Sequence, residues 1–367
     1  MHIELPPDSY RPAPPAREVV ERYGIAVVGC GNIAQGAHLP AYRDFGYRVV
    51  AACDLVEEKA QQAADEYGIP FVTTSVDEVL DRPDVDVIDL AVVPADRLPL
   101  VEKIAAAGKH ILSQKPLAPT LEEAEEIVTA CEEAGVVLMV NQQARWAPYH
   151  RALKAVIDSG VLGHVFSVTH LHRQHQDGPG SPSVTFPDFT IVDNGIHYVD
   201  LARFFTGRTP SRVRAVTTRV PGQLARDPMV YSILCEYDPD DLMATLHFNN
   251  IASALHHSPY LWIVDGSEAA ASVARHGPIK GGRVELTVAS GNDRDMKQTY
   301  DIHGSWHPEA WGGSMGEMLS ALAEGRLPET HGADNLDSIR VTDAAVQSSR
   351  YGFTVDLDPP DEGGDGA

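Results

Sequence analysis

At 367 residues the chain exceeds one ordinary core and suits two domains, each large enough to bury its apolar side chains without disulfide or metal staples. A net charge of −23 repels phosphate backbones, which excludes nucleic acid as a partner, and no run approaches the ~18 apolar residues that a membrane span requires. Cys30, Cys53, Cys131 and Cys235 form no C-x-x-C pair and read as reduced thiols, and the N-terminus shows no basic segment ahead of an apolar stretch, so the expected location is the cytoplasm.

Residues 1–22 form a proline-rich arm. From 23 to 145, short β-branched runs alternate with amphipathic helical patterns, the sequence form of consecutive βαβ units on a parallel sheet. Strands are predicted at 25–29, 49–54, 71–72, 87–92, 111–114 and 136–141, with helices between them. Two helices open on capping boxes, Ser75-x-x-Glu78 and Thr120-x-x-Glu123, and Gly68, Gly108 and Gly135 stand where helices should stop.

From 146 to 357 the rhythm changes. Helices are predicted at 149–159 and 193–205, then strands in series near 213–219, 231–237, 244–249, 261–265, 270–274 and 283–288, then late helices near 316–323 and 337–351. Strands without long helices between them predict an α+β second domain with a largely antiparallel open sheet. The acidic, glycine-rich tail 358–367 is expected to be disordered.

The stretch GIAVVGCGNIA places Gly29-x-Gly31-x-x-Ala34 between a buried strand and a helix, the context that makes this spacing a dinucleotide-binding fingerprint, and the first domain is therefore read as a Rossmann domain. Gly29, Gly31, Asn32 and Ile33 form the expected phosphate cradle, with the positive end of the following helix facing the phosphates. The bland alternative is a glycine-rich turn. Asp54 ends the second strand, where a carboxylate accepts from both ribose hydroxyls and repels a 2′-phosphate; the next four residues hold no basic side chain, which favours NAD over NADP, although Lys59 is within reach of the next helix. A helix N-cap is the other reading of Asp54.

Oxidation of an alcohol releases a hydride and a proton, so the chemistry needs a base and a fixed cation for the developing alkoxide. Lys115 follows the fifth strand in SQKPL, at the carboxyl edge where open parallel sheets bind ligands; read alone, it is also an ordinary surface lysine. In DNGIHYVD, a helix puts Asp193, His197 and Asp200 on one face, so that His197 can take the hydroxyl proton with Asp193 orienting it. The structural alternative makes Asp193 a cap, His197 a core residue and Asp200 a packing partner. His170, His172 and His175 alternate as strand residues do, and no metal is expected.

With these residues in view, the stretches GIAVVGCGNIA, AACD, AAGKHILSQKPLAPTLEEAEEI, NQQARWAPYHRALKAVIDSGVLGHV and DNGIHYVDLARFFTG resemble the Gfo/Idh/MocA family, that of glucose–fructose oxidoreductase and inositol 2-dehydrogenase, from about residue 23 to 357. The resemblance implies an NAD-dependent oxidoreductase acting on a sugar, inositol or related polyol, with Lys115 matching the lysine of the family's E-K-P motif and Asp193 and His197 its second-domain acid and base. It also implies cofactor contacts from Pro94, Gln114, Lys115, Gln143 and Arg145, a proline often in cis after the lysine, and a homodimer or homotetramer built on the exposed sheet face. The arm at 1–22 then either packs across a neighbouring subunit or is disordered. Gln114 departs from the family glutamate and Arg97 from a frequent histidine, so Lys115 loses a neighbouring anion. Segment 171–187 lacks the glycine-rich approach common before the catalytic helix. Two other functions remain compatible with the residues: a glycoside hydrolase that uses NAD for transient sugar oxidation, and a non-catalytic nucleotide-binding regulator.

Overall fold

The computed structural model describes residues 3–254, 260–277, 282–290 and 297–357; the tail predicted to be disordered lies outside them. Contacts divide the chain into two compact units, one built from Pro6–Arg151 and Gly304–Leu336, the other from the remaining described residues.

The first, nucleotide, unit opens with α1 (Arg17–Arg22) and alternates strands and helices: β1 (Ile25–Val28), α2 (Leu39–Phe45), β2 (Val49–Cys53), α3 (Glu57–Tyr67), β3 (Val72–Thr73), α4 (Val76–Leu80), β4 (Val87–Leu90), α5 (Arg97–Ala106), β5 (His110–Gln114), α6 (Leu121–Glu133) and β6 (Leu138–Asn141). Every pairing is parallel and the order is β3-β2-β1-β4-β5-β6, so the predicted parallel sheet is present. Helices cover both faces, which is why β1, β4 and β6 are buried along their whole length. The chain reverses between β1 and β4, the switch point at which doubly wound sheets bind ligands. Gly68, Gly108 and Gly135 all have positive φ, and the Thr120 hydroxyl accepts the Glu123 N–H at 3.2 Å. Ser75 differs from expectation: it precedes α4 but its hydroxyl caps nothing, because the Thr73 hydroxyl accepts the Ser75 N–H at 3.0 Å and donates to Glu78 at 2.5 Å.

The change of rhythm at 146 marks the change of sheet, but the units are not continuous in sequence. Ile3 bonds within the second unit, its N–H donating to Gln298 Oε1 at 3.3 Å and its carbonyl accepting from the Tyr300 hydroxyl at 2.6 Å, but from Pro6 onward the arm packs into the nucleotide unit, with Arg11 paired to Glu309 and Pro12 against Gly313. So does the late helix, predicted from 316 and observed as α9 (Glu309–Glu324). Three glycines hid its first turns, since glycine lowers helix propensity. Here they allow contact: a Cβ at Gly312 would lie 2.6 Å from the Phe45 ring, one at Gly313 2.8 Å from Trp146, and one at Gly316 2.6 Å from the Tyr47 hydroxyl.

Helix α7 (Pro148–Asp158) leads into the second, sheet, unit, which holds β7 (Val165–Arg173), α8 (Ile196–Thr206), β8 (Arg212–Thr218), β9 (Val230–Glu236), β10 (Met243–Asn249), β11 (Tyr260–Gly266), β12 (Ala269–His276), β13 (Arg283–Ser290), β14 (Lys297–Ile302), α10 (Gly332–Tyr351) and β15 (Val355–Asp356). The order is β14-β13-β12-β11-β7-β10-β9-β8-β15, antiparallel except where β7 meets β10, as the largely antiparallel prediction requires. Strands β7, β14 and β15 were not among those predicted; β7 carries three polar or basic side chains in HLHR that mask its alternation. One face packs under α8 and α10. Arg203 of α8 donates to Ser338 Oγ at 2.9 Å, and Ser338 donates to Asp200 at 3.0 Å, joining the two helices; Ala215 N–H donates to Ser348 of α10 at 2.9 Å. The other face presents Leu171, Val216, Leu234, Met243, Leu261 and Ile263, all half-exposed or exposed.

Candidate active site

The glycine-rich turn leaves β1 at Gly29, whose φ of 95° only glycine adopts readily and whose Cβ, if present, would lie 2.9 Å from the Ala91 carbonyl carbon. Gly31 instead faces open space, so its backbone is free to approach a pyrophosphate. The chain turns helical at Asn32, passes a wide π turn at Ala34–His38 and enters α2, with Ala34 fully buried at the third position of the fingerprint.

Asp54 follows β2 and is oriented by two backbone amides: Cys30 N–H donates to one oxygen and Val56 N–H to the other, both at 2.8 Å. Each oxygen keeps a lone pair for a ribose hydroxyl. Leu55 beyond it is 91% exposed, an apolar surface beside the sugar position. Burial and the Asp54 charge push the Cys30 thiol up to about 12, and burial with Asp54 takes Cys53 to about 11, so neither thiol ionises there. Open backbone at Gly31 and an oriented carboxylate at Asp54 fit a dinucleotide with free ribose hydroxyls.

Lys115 follows β5, and the Lys115–Pro116 bond is cis. Both flanks are held. Before it, buried Gln114 accepts the Lys115 N–H on Oε1 at 3.0 Å. After it, Arg97, only 1% exposed, donates to the carbonyls of Pro116, Leu117 (3.1 Å) and Val92 (2.7 Å), so the loops after β4 and β5 are sewn together. Pro94 opens a short 3-10 turn in the first of those loops. After β6, Gln143 and Arg145 lie on a buried 3-10 turn; Gln143 Oε1 has no hydrogen-bond partner among the described residues, and Arg145 is held by Asp334 at 3.1 Å.

The structure thus gathers Gly29, Gly31, Asn32, Ile33, Asp54, Pro94, Gln114 and Lys115 along the carboxyl edge of one sheet. Three further residues, His38, Tyr42 and Asp89, meet beneath that edge, and no local motif marks the first two. His38 Nδ1 lies 2.7 Å from Asp89 Oδ2, Tyr42 donates to the same oxygen at 2.9 Å, and Gln114 Nε2 lies 3.3 Å from His38 Nε2. The signal was present as Asp89, the one carboxylate inside the apolar run VIDLAVV.

In the sheet unit, the predicted helix at 193–205 is α8 preceded by a π turn, Thr190–Gly195. Asp193 lies inside that turn and is no N-cap, and both it and His197 are half-exposed. Asp200 does not share their exposed face: it is fully buried against Ser338, the structural role its alternative reading gave it. Gly195 permits the turn, because a Cβ there would meet the Tyr231 hydroxyl at 3.3 Å. His170 and His172 point inward from β7; the Tyr198 ring stacks on His170 with centroids 4.0 Å apart and its hydroxyl lies 2.7 Å from His172 Nδ1. Among the described residues no group of three or more His, Cys, Asp or Glu side chains is arranged to hold a metal.

Known proteins carry the same organisation. The profile of the oxidoreductase family with an NAD-binding Rossmann fold matches residues 23–142, and that of the GFO/IDH/MocA C-terminal domain matches 150–271. The chain is 30% identical over 353 residues to D-apiose dehydrogenase of Paraburkholderia graminis, covering 92% of this chain and 90% of that one. Inositol 2-dehydrogenase of Rhizobium meliloti is 24% identical, with 89% and 96% covered. A solved oxidoreductase from Agrobacterium radiobacter in complex with NAD+, L-tartaric acid and magnesium superposes with a TM-score of 0.77 at 26% identity, over 91% of this chain and 98% of that one. With its fingerprint turn and two-domain order, the chain belongs to the Gfo/Idh/MocA family and is an NAD-dependent oxidoreductase acting on CH–OH groups.

Proposed function

We propose that the protein transfers a hydride between nicotinamide and a hydroxyl-bearing carbon of a sugar, inositol or related polyol, with Lys115, Asp193 and His197 as its catalytic residues. The observation that carries this reading is a lysine whose two neighbours are hydrogen-bonded, Gln114 to its own N–H and the Pro116 carbonyl to Arg97, at the carboxyl edge of a parallel sheet. NAD, when bound, supplies the carbon that accepts or returns the hydride. The Lys115 ammonium stabilises the alkoxide, His197 takes the hydroxyl proton or gives it back, and Asp193 orients His197 or binds an adjacent hydroxyl. Gly29, Gly31, Asn32 and Ile33 hold the pyrophosphate and Asp54 the ribose, which selects NAD over NADP. Pro94, Gln114, Gln143 and Arg145 line the nicotinamide end.

The outer face of the nine-stranded sheet, with half-exposed Leu171 opposite Leu261 in register, fits a second copy of the chain, giving a homodimer or homotetramer. Four buried thiols suit the cytoplasm, and among the described residues no helix is long and apolar enough to cross a membrane. The test is a screen of D-apiose, myo-inositol, aldoses and sugar acids with NAD and NADP, followed by NADH absorbance and light scattering. NADH formed with one of these compounds supports the reading. Sugar release without net NADH, or nucleotide binding with no turnover of any, overturns it.

A further inference from the structure

Beneath Lys115 lies a file of polar side chains, with Asp89 and His38 at 0% exposure and Gln114 at 7%. Their hydrogen-bond directions follow from the one group whose role is invariant. The Lys115 peptide N–H donates, so the Gln114 atom facing it at 3.0 Å is Oε1, and Gln114 Nε2, a donor only, is left facing His38 Nε2 at 3.3 Å. That ring nitrogen must offer a lone pair. The single ring proton therefore sits on Nδ1 and is donated to Asp89 Oδ2 at 2.7 Å, where Tyr42 also donates at 2.9 Å. Among the described residues the second Asp89 oxygen has no hydrogen-bond partner, and this buried carboxylate is anchored through His38 and Tyr42.

We propose that Asp89 and His38 are positioning residues for the hydride-transfer site, acting through Gln114 on the backbone of Lys115, and that Gln114 holds the His38 imidazole in its neutral Nδ1–H form. The inference rests on the reading of Lys115 as catalytic. The groups packed on His38 are Asp89 from β4, Gln114 from β5, Tyr42 from α2 and the Trp311 ring from α9, which bears His307 on its own face at 4.2 Å. Burial and Asp89 push the Tyr42 hydroxyl well above its ordinary range, so it remains a donor. Glutamate at 114 would have no N–H to give. To keep the contact, His38 would take a second proton and become a cation between two carboxylates. The glutamine and glutamate forms of the relay therefore differ by one proton on the ring.

The full-length protein labelled with 15N-histidine reads this directly, with His38→Gln assigning the signal. At one common pH the wild type is expected to carry a single ring proton, on Nδ1, whereas Gln114→Glu carries a proton on each ring nitrogen. A wild-type proton on Nε2, or identical His38 spectra in the two proteins, overturns the relay. Kinetics supply the second arm, with NADH fluorescence titration reporting nucleotide affinity separately. His38→Ala is expected to lower kcat about tenfold or more with nucleotide affinity unchanged, and His38→Gln, which returns an acceptor near the Nε2 position, to recover part of it. Equal kcat in wild type and His38→Ala refutes the positioning role. Unimpaired turnover in Lys115→Ala instead refutes the catalytic reading of Lys115, and the ring spectra still decide the relay.

Discussion

In the nucleotide unit the proposed site residues follow strand ends, and the backbone itself places them; in the sheet unit the proposed ones ride on a helix whose pitch changes where they stand. Gly29, Asp54 and Lys115 each come directly after the last residue of β1, β2 and β5. Strands buried on both faces expose little but their ends, so a strand read to within a residue or two also locates its functional neighbour. Asp193 and His197 depend instead on a π turn admitted by Gly195 under Tyr231, a long-range contact. Half of that unit's strand residues face outward, so a half-exposed polar side chain there marks nothing by itself.

Removing one proposed catalytic group from each unit separates what the two contribute. Lys115→Ala and His197→Ala are each expected to lower kcat by about 10²–10³, the scale of losing one preorganised electrostatic partner, or about 3–4 kcal/mol. His197→Ala should leave NADH affinity within about twofold by fluorescence titration, because the described nucleotide residues all belong to the other unit. Loss of nucleotide binding in that variant would erase the division of labour.

Backbone placement makes a second prediction. Gly29→Ala forces a side chain into φ 95° and against the Ala91 carbonyl, so unfolding in denaturant should shift by about 2–4 kcal/mol and nucleotide affinity should fall with it. Arg97→Met removes a buried guanidinium that serves three carbonyls at the base of the Lys115 loop, and about 2–3 kcal/mol of stability should go with it. A neutral outcome for Gly29→Ala would mean that the turn is not the rigid element its geometry implies.

The sheet unit has its own vulnerability, to acid. Burial, and after it the Arg275 charge, hold His172 well below its ordinary value near 6.5. The folded state therefore binds this proton less readily than the unfolded chain. The contribution to stability is complete above about pH 6.5 and is lost as pH falls below it, by about 1.4 kcal/mol at pH 5.5. Comparing denaturation of wild type and His172→Phe across that range should show a flatter acid limb in the variant, with Tyr198 losing one hydrogen bond at every pH.

Much of this was legible in the chain itself, for physical reasons that differ by element. Strands β1 and β2 stand out because each is a short apolar run closed by a turn residue, and the fingerprint because glycine alone fits φ 95° at Gly29. Helix α9 was cut short because Gly312, Gly313 and Gly316 look like helix breakers until Phe45, Trp146 and Tyr47 are seen pressed against them. No local pattern marks His38, because its partners lie on β4 and β5, far along the chain. Arg97 was noticed as a departure, but its role needed the carbonyls of another loop. Local spacing reports local backbone, and the polar network beneath the site is made of long-range pairs.

The smallest prediction tests that lesson within the nucleotide unit. Ser75 and Thr120 are the same motif in sequence, each a hydroxyl three residues ahead of a glutamate. Only Thr120 accepts its glutamate's N–H, whereas before α4 the Thr73 hydroxyl has taken over, receiving the Ser75 N–H and bonding Glu78. Thr120→Ala should therefore cost about 1 kcal/mol in denaturant unfolding and Ser75→Ala less than about 0.5 kcal/mol, with Thr73→Ala closer to the former. Equal costs at 75 and 120 would mean that the motif, and not its tertiary surroundings, decides where the cap forms.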